Sequence, residues 1–257
     1  MLLTTVHDRE DLGTRFSADA ALHAYELGDL DDFFWPYTTW YRLRGGQCTA
    51  LVYTGAEFGP ILLALSRPDR DEELRSLVTH LLPVLPRRFY AHVTGGAHHI
   101  LAKEYEVTDH GVHRKMALVD FTPVTGEPTV VLTPADLGEL RELYDRAYPG
   151  NTFDARMLDG GDYVGIRRDG RLVAVAGLHV HSPSRRIAAL GNVTTLPELR
   201  GQGLAAVAVS ALCTRLLETV DHIGLNVKAD NVSAIGLYER LGFVAASDYQ
   251  EISATAR

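Results

Sequence analysis

The chain reads as an α/β (α+β) protein built from two halves of related topology, each a mixed, mostly antiparallel sheet flanked by helices. Three observations predict this. Short β-branched runs alternate with stretches of helical periodicity along the whole chain. The segment FTPVTGEPTVVL, residues 121–132, interrupts that rhythm with Pro123, Gly126 and Pro128. The order of elements before the interruption then repeats after it, and AIGLYERLGFV (Ala234–Val244) can be laid over HHILAKEYEV (His98–Val107). The predicted domains are therefore residues 1–126 and 127–257, joined near Glu127.

In the first half, a helix is expected near Ala18–Leu27, followed by strands near Trp40–Arg44, Thr49–Thr54 and Ile61–Ser66. A helix at Asp71–Leu82, a strand at Arg87–Val93, a short helix at Gly96–Lys103 and a hairpin into Ala117–Phe121 complete it. The aromatic run from Phe33 to Tyr41 reads as core or as a seam between domains, with a wall of an acceptor pocket as the functional alternative. His98, His99, His110 and His113 read as residues of solvated turns.

The second half is cleaner. Thr129–Leu132 is a short strand, and Pro134 opens a helix reaching about Tyr148. Asp162–Arg168 and Arg171–His181 are strands joined by Asp169-Gly170, a two-residue hairpin signal. Ser182-Pro183-Ser184 turns the chain into a strand at Arg186–Thr195. Leu204, Ala208, Leu212, Leu216 and Val220 recur every four residues and predict a long helix from about Gly201 to Val220. His222–Val227 is a buried-type strand, Val232–Leu241 a helix that Gly242 ends, and Phe243 onward a strand.

Composition narrows the function. With 33 acidic against 25 basic side chains, the formal net charge of −8 argues against a nucleic-acid partner. No apolar stretch is long enough to span a bilayer, and MLLTTVHDREDL does not read as a signal peptide, so a soluble, cytoplasmic protein is expected. Cys48 and Cys213 read as reduced thiols, and no metal motif is present.

The chemistry concentrates where the strand ending at Thr195 runs through Leu196-Pro197-Glu198-Leu199-Arg200-Gly201-Gln202-Gly203-Leu204-Ala205 into the long helix. A helix N-terminus leaves backbone N–H groups without internal partners, and its dipole favours anions. Glycines let that backbone approach a phosphate closely, and Arg200 adds positive charge. Taken alone, the turn also fits a plain strand-to-helix connection. It lacks the Lys-Ser/Thr of a P-loop and the third glycine of a dinucleotide fold.

About twenty-five residues further on comes Asn231-Val232-Ser233-Ala234-Ile235-Gly236-Leu237-Tyr238-Glu239-Arg240-Leu241-Gly242-Phe243. In that order and spacing, the two stretches resemble the GNAT superfamily of acyl-CoA N-acyltransferases, over residues 129–253. Arg200–Ala205 is similar to that family's Arg/Gln-x-x-Gly-x-Gly/Ala loop. The later stretch is similar to its asparagine followed by a helix carrying Tyr-x-x-x-Gly-Phe. The whole-chain layout resembles the glycine N-acyltransferase-like branch, a degenerate first GNAT-like copy ahead of an active second one.

The resemblance implies acetyl-CoA as co-substrate, no metal, and transfer of an acetyl group to a primary amine by direct attack. Val193, Thr194 and Thr195 would pair with the amides of the pantetheine arm. Arg200, Gly201, Gln202, Gly203, Leu204 and Ala205 would hold the pyrophosphate. Asn231 would bond the pantetheine or cap the following helix, and Tyr238 would protonate the leaving thiolate or else sit in the core. Many relatives carry a base on the strand before the loop, but Ile187–Val193 has no titratable side chain. His179 and His181 share one face of the preceding strand and could serve or could be structural, and Glu198 reads as solvated, so no base is assigned. The acceptor is a small molecule or another amino group, and the oligomeric state, possibly a monomer, is open. The alternative is an acyl-CoA-binding sensor or scaffold without turnover. The first half offers Ser66-Arg67-Pro68-Asp69-Arg70-Asp71 in place of the glycine loop, acidic and glycine-free, so one donor site per chain is expected.

Overall fold

In the computed structural model, which describes residues 1–257, the chain divides into two packing units. The first holds Met1–Lys115, Val227–Asn231 and Ala245–Arg257; the second holds Met116–Asn226 and Val232–Val244. Relative to a junction at 126/127, residues 116–126 pack with the second unit, and 227–231 and 245–257 pack with the first.

The first unit runs β1 (Leu3–Val6), α1 (Arg9–Ser17), α2 (Ala24–Gly28), β2 (Thr38–Leu43), β3 (Thr49–Tyr53), β4 (Ile61–Ala64), α3 (Asp71–Leu81), β5 (Arg88–Val93), α4 (Ala97–Leu101) and β6 (Tyr105–Leu118). The second runs β7 (Thr129–Val131), α5 (Leu137–Ala147), β8 (Val164–Arg168), β9 (Arg171–Ser182), β10 (Ile187–Thr195), α6 (Leu204–Leu216), β11 (His222–Lys228) and α7 (Val232–Arg240). The last strand, β12 (Phe243–Ala256), pairs with β5 in the first unit, Gln250 opposite Val93 and Thr255 opposite Arg88.

Strand order is β1-β2-β3-β4-β5-β12-β6 in the first unit and β11-β10-β9-β8-β7 in the second. Each unit has both parallel and antiparallel pairs. The pairs β4/β5 and β10/β11 are parallel, each linked through a helix, while the pairs β1/β2, β2/β3, β3/β4, β5/β12, β9/β10, β8/β9 and β7/β8 are antiparallel. A parallel pair needs such a crossover, so strand, helix, parallel strand is a topological element both units share.

Periodicity sets the helix faces. Leu204, Ala208, Leu212, Leu216 and Val220 are all buried, and α3 buries Leu74, Leu77, Val78 and Leu81 against the first unit's core. The aromatic run is core in part. Trp40 and Phe34 are buried, and Trp40 stacks with Trp35 and tilts against Phe16. Phe33 and Tyr37 stay exposed.

Two local expectations give way. The helix expected near Ala18–Leu27 is replaced by α1 at 9–17 and the short α2, because the Asp8 carboxylate caps α1 by accepting from the amides of Glu10 and Asp11. The expected hairpin before Ala117 is one continuous strand, β6. Its turn signal becomes a local irregularity: Gly111 takes φ +94 and donates its N–H to Asp109 Oδ1 at 2.7 Å. His110 and His113 therefore lie on a strand and not on solvated turns.

They join a polar cluster in the first unit. Glu251 accepts from Tyr90 Oη at 2.5 Å and Tyr249 Oη at 2.8 Å, and pairs with His92 and His113 at 3.1 Å each. Burial opposes ionisation of Glu251, but His92, Tyr90 and His113 overcome it and hold the carboxyl at about 2. A folded-state value below the ordinary 4.3 stabilises the fold above that pH, worth about 3 kcal/mol, and the contribution is lost as pH falls toward 2. Burial depresses His92, so proton uptake there opposes the fold in acid as well. The urea midpoint is expected to fall steeply between pH 5 and pH 3, and Glu251→Gln is expected to flatten that slope.

Candidate active site

The site is built where β10 leaves its neighbours. Parallel pairing with β11 runs from Ile187–His222 to Leu190–Leu225 and stops there. On the other side, β10 breaks register with β9 between Gly191, opposite Gly177, and Thr194, opposite Val175. Two residues of β10, Asn192 and Val193, thus face one of β9: a β-bulge. Beyond Leu190 the β11-side edge of β10 no longer belongs to a ladder. Thr195 Oγ1, and Asn226 Oδ1 just past the last β11 pair, are buried without hydrogen-bond partners.

A polar lock holds the bulge. Asn192 is buried at φ +53, a left-handed conformation that asparagine tolerates better than most residues. Its Nδ2 donates to Tyr163 Oη at 3.1 Å, and its carbonyl accepts from Tyr144 Oη at 3.0 Å. Tyr163 Oη donates in turn to Leu178 O at 3.0 Å, and Phe153 packs against both tyrosine rings. Sequence reasoning missed Asn192, Tyr144 and Tyr163. The available signal was Gly191-Asn192, two strand-breaking residues inside an apolar run. Removing one lock hydroxyl with Tyr144→Phe should cost about 1–2 kcal/mol in a denaturant titration, since it orphans the buried Asn192 carbonyl.

Thr195 leads into the glycine turn. Arg200 N–H bonds Pro197 O at 3.4 Å, and the next bonded amide in the turn is Val207, donating to Gly203 O at 3.1 Å. Between them lie the amides of Gly201 to Ala206, which no carbonyl of the chain accepts. Gly201 and Gly203 adopt φ +77 and +82, and a Cβ on either would meet open space. The turn therefore presents amides at the N-terminus of α6 with room in front of them, an arrangement suited to an anion.

The side chains of the turn are partly committed elsewhere. Arg200 donates from Nε to Thr195 O at 3.2 Å and from Nη2 to Ala147 O at 2.9 Å, so it ties the turn to β10 and α5. Gln202 accepts from Arg168 Nη1 at 2.7 Å, and Glu198 pairs with Arg146 at 2.9 Å on the surface.

Tyr238, on α7, is buried, with its ring edge-on to Phe243. Burial, then the neighbouring Tyr148 and Cys213, push its hydroxyl above the usual phenol range, so it carries its proton at neutral pH. Burial likewise pushes the Cys213 thiol up to about 12. Val193 to Thr195, Arg200 to Ala205 and Tyr238 all lie in the second unit. Asn231 is exposed, donates its N–H to Lys228 O at 2.9 Å, and belongs to a segment that packs with the first unit.

The corresponding turn of the first unit is closed. Thr94 N–H bonds Ala64 O at 3.1 Å, and Ser66 N–H bonds Thr94 Oγ1 at 2.8 Å, stitching β4 to β5 past the end of their ladder. Asp71, Glu72 and Glu73 fill the first turn of α3, with Asp71 accepting from Ser66 Oγ at 2.8 Å. Three carboxylates in the first turn of that helix put negative charge where a phosphate would have to sit. No group of three or more His, Cys, Asp or Glu side chains is placed to hold a metal, and no helix is long and apolar enough to cross a membrane.

Residues 132–243 match the model of the acetyltransferase (GNAT) family. An uncharacterized protein of Mycobacterium leprae is 32% identical over 143 residues, 48% of this chain, and the match spans only 37% of that protein's length. A GNAT-family protein of Novosphingobium aromaticivorans superposes with a TM-score of 0.56 at 24% identity, over 81% of this chain and 88% of that one. A tandem GNAT protein from the clavulanic acid biosynthesis pathway superposes with a TM-score of 0.54 at 16% identity, over 99% and 98%. At these identities the structural likenesses speak for the fold, and the family match covers the segment that carries the bulge, the turn and Tyr238. The segment similar to the GNAT family of acetyltransferases, residues 132–243, is thus the one that holds the candidate site.

Proposed function

We propose that the protein is an N-acetyltransferase that moves the acetyl group of acetyl-CoA directly to a primary amine, using one donor site in its second unit. The observation that carries this reading is the opening of β10 from β11 beyond Leu190, leading straight into the free amides of Gly201 to Ala206. The donor is a phosphate-bearing chain with two amides. A strand edge without a ladder suits the amides, and a helix N-terminus suits the pyrophosphate. Val193, Thr194 and Thr195 pair with the pantetheine, Gly201 to Ala205 hold the pyrophosphate, and Arg200 anchors the turn. The first unit is a degenerate GNAT-like copy whose turn is closed by its own side chains.

In the reaction the amine nitrogen attacks the thioester carbonyl and a C–N bond forms. The tetrahedral intermediate collapses by breaking C–S, and Tyr238 supplies a proton to the departing thiolate. The acceptor is a small molecule or the amino group of a larger one, and the protein works in the cytoplasm. A panel of primary amines incubated with acetyl-CoA, read by free thiol, tests the reading. Amine-dependent thiol release is expected; binding without release under every amine would favour a sensor or scaffold instead.

A further inference from the structure

The reaction needs a group that takes a proton from the attacking amine, and β10 carries none between Ile187 and Thr195. The neighbouring strand brings one to the bulge. Gly177 of β9 and Gly191 of β10 are direct partners, and neither has room for a side chain of its own. A Cβ on Gly177 would lie 2.1 Å from the Tyr163 ring, and one on Gly191 would lie 2.1 Å from His179 Cδ2 and 2.2 Å from His179 Nε2. His179 is the extra residue of β9 at a second register shift, between Ala189, opposite Val180, and Leu190, opposite Leu178, and its ring reaches across to Gly191. The rings of Tyr163 and His179 therefore lie side by side over the glycine pair, on the face where Tyr163 holds Asn192. His179 is half-buried, with its imidazole against the backbone where β10 begins its bulge.

His181 is placed differently: the register shift puts it opposite Ala188, on the other face of the sheet from Gly191. Its Nδ1 pairs with Asp162 Oδ2 at 3.0 Å, and its Nε2 is buried without a partner. Ala188, the residue opposite it, lies back from the bulge within the paired part of β10. A side chain in the place of Gly191 would drive His179 off the strand. The glycine is what allows a residue of β9 to occupy the position that a side chain of β10 would otherwise fill.

We propose that His179 is the proton acceptor for the amine, a role that rests on the acetyltransferase reading above. As the C–N bond forms, the proton on nitrogen passes to the His179 imidazole. The C–S bond then breaks, and the thiolate takes the Tyr238 proton. Solvent carries the proton from His179 back to Tyr238, so the cycle closes without another reactant.

The experiment compares the full-length protein with His179→Ala and His179→Gln, using acetyl-CoA and the best amine of the panel. Turnover is expected to fall by about 100-fold or more in both, with acetyl-CoA affinity and melting temperature kept. Added imidazole should restore a substantial part of the turnover of His179→Ala, whose missing ring leaves space for it over Gly191. A packing role would not produce that rescue. Unchanged turnover in either variant, or a loss in folded His179→Ala that imidazole does not relieve, would overturn the assignment. Unmutated protein that binds acetyl-CoA yet acetylates no amine would overturn the acetyltransferase reading, and the role of His179 with it.

Discussion

Gly203→Glu is expected to weaken acetyl-CoA binding about a thousandfold, the largest single effect on the donor site. Gly203 stands at φ +82 immediately before α6, and a Cβ there meets open space, so the new side chain projects toward the proposed pyrophosphate site. A carboxylate about 4 Å from a phosphate charge costs about 4 kcal/mol at an effective dielectric near 20. A side chain in the left-handed region also costs about 1–2 kcal/mol of backbone strain, which falls on the fold and is present with or without the donor bound. Gly203→Ala bears only the strain and should lose far less affinity, which separates charge from conformation. Titration calorimetry of the three proteins checks this, and equal affinity in all three would remove the turn from the site.

Tyr238→Phe is expected to lower kcat by about 10²–10⁴ while acetyl-CoA affinity stays within a few-fold. The ring is buried edge-on to Phe243, so phenylalanine preserves that packing and deletes only the hydroxyl. A thiol is a fair leaving group on its own, with a solution value of about 8.5, so the loss should be partial. Because burial lifts the Tyr238 hydroxyl above the usual phenol range, its deprotonation does not intrude at neutral pH. Full activity in the mutant would make Tyr238 a core residue.

Local signals carried most of the second unit. Asp169-Gly170 forms its hairpin with φ +50 and +78, as a two-residue turn between twisted strands requires. The stripe from Leu204 to Val220 is buried, and Gly242 ends α7 at φ +97. Two kinds of feature were not legible. Long-range pairing decides which sheet edge a strand joins, so nothing in Ala245–Arg257 announces that it pairs with β5. Side-chain networks depend on residues far apart in sequence, so Asn192, Tyr144 and Tyr163 looked unrelated until the bulge joined them. Gly111 shows the converse, a turn signal overridden by a strand that continues through it.

Thiol release alone does not isolate transfer to nitrogen, because hydrolysis releases thiol as well. The most direct measurement follows acetyl-CoA labelled in its acetyl group, with the full-length protein and the amine that best supports thiol release. Label recovered in an amide of that amine, at the rate of thiol release and lost together with binding in Gly203→Glu, is the predicted result. Label found only as free acetate, or remaining in acetyl-CoA bound to the protein, would contradict it.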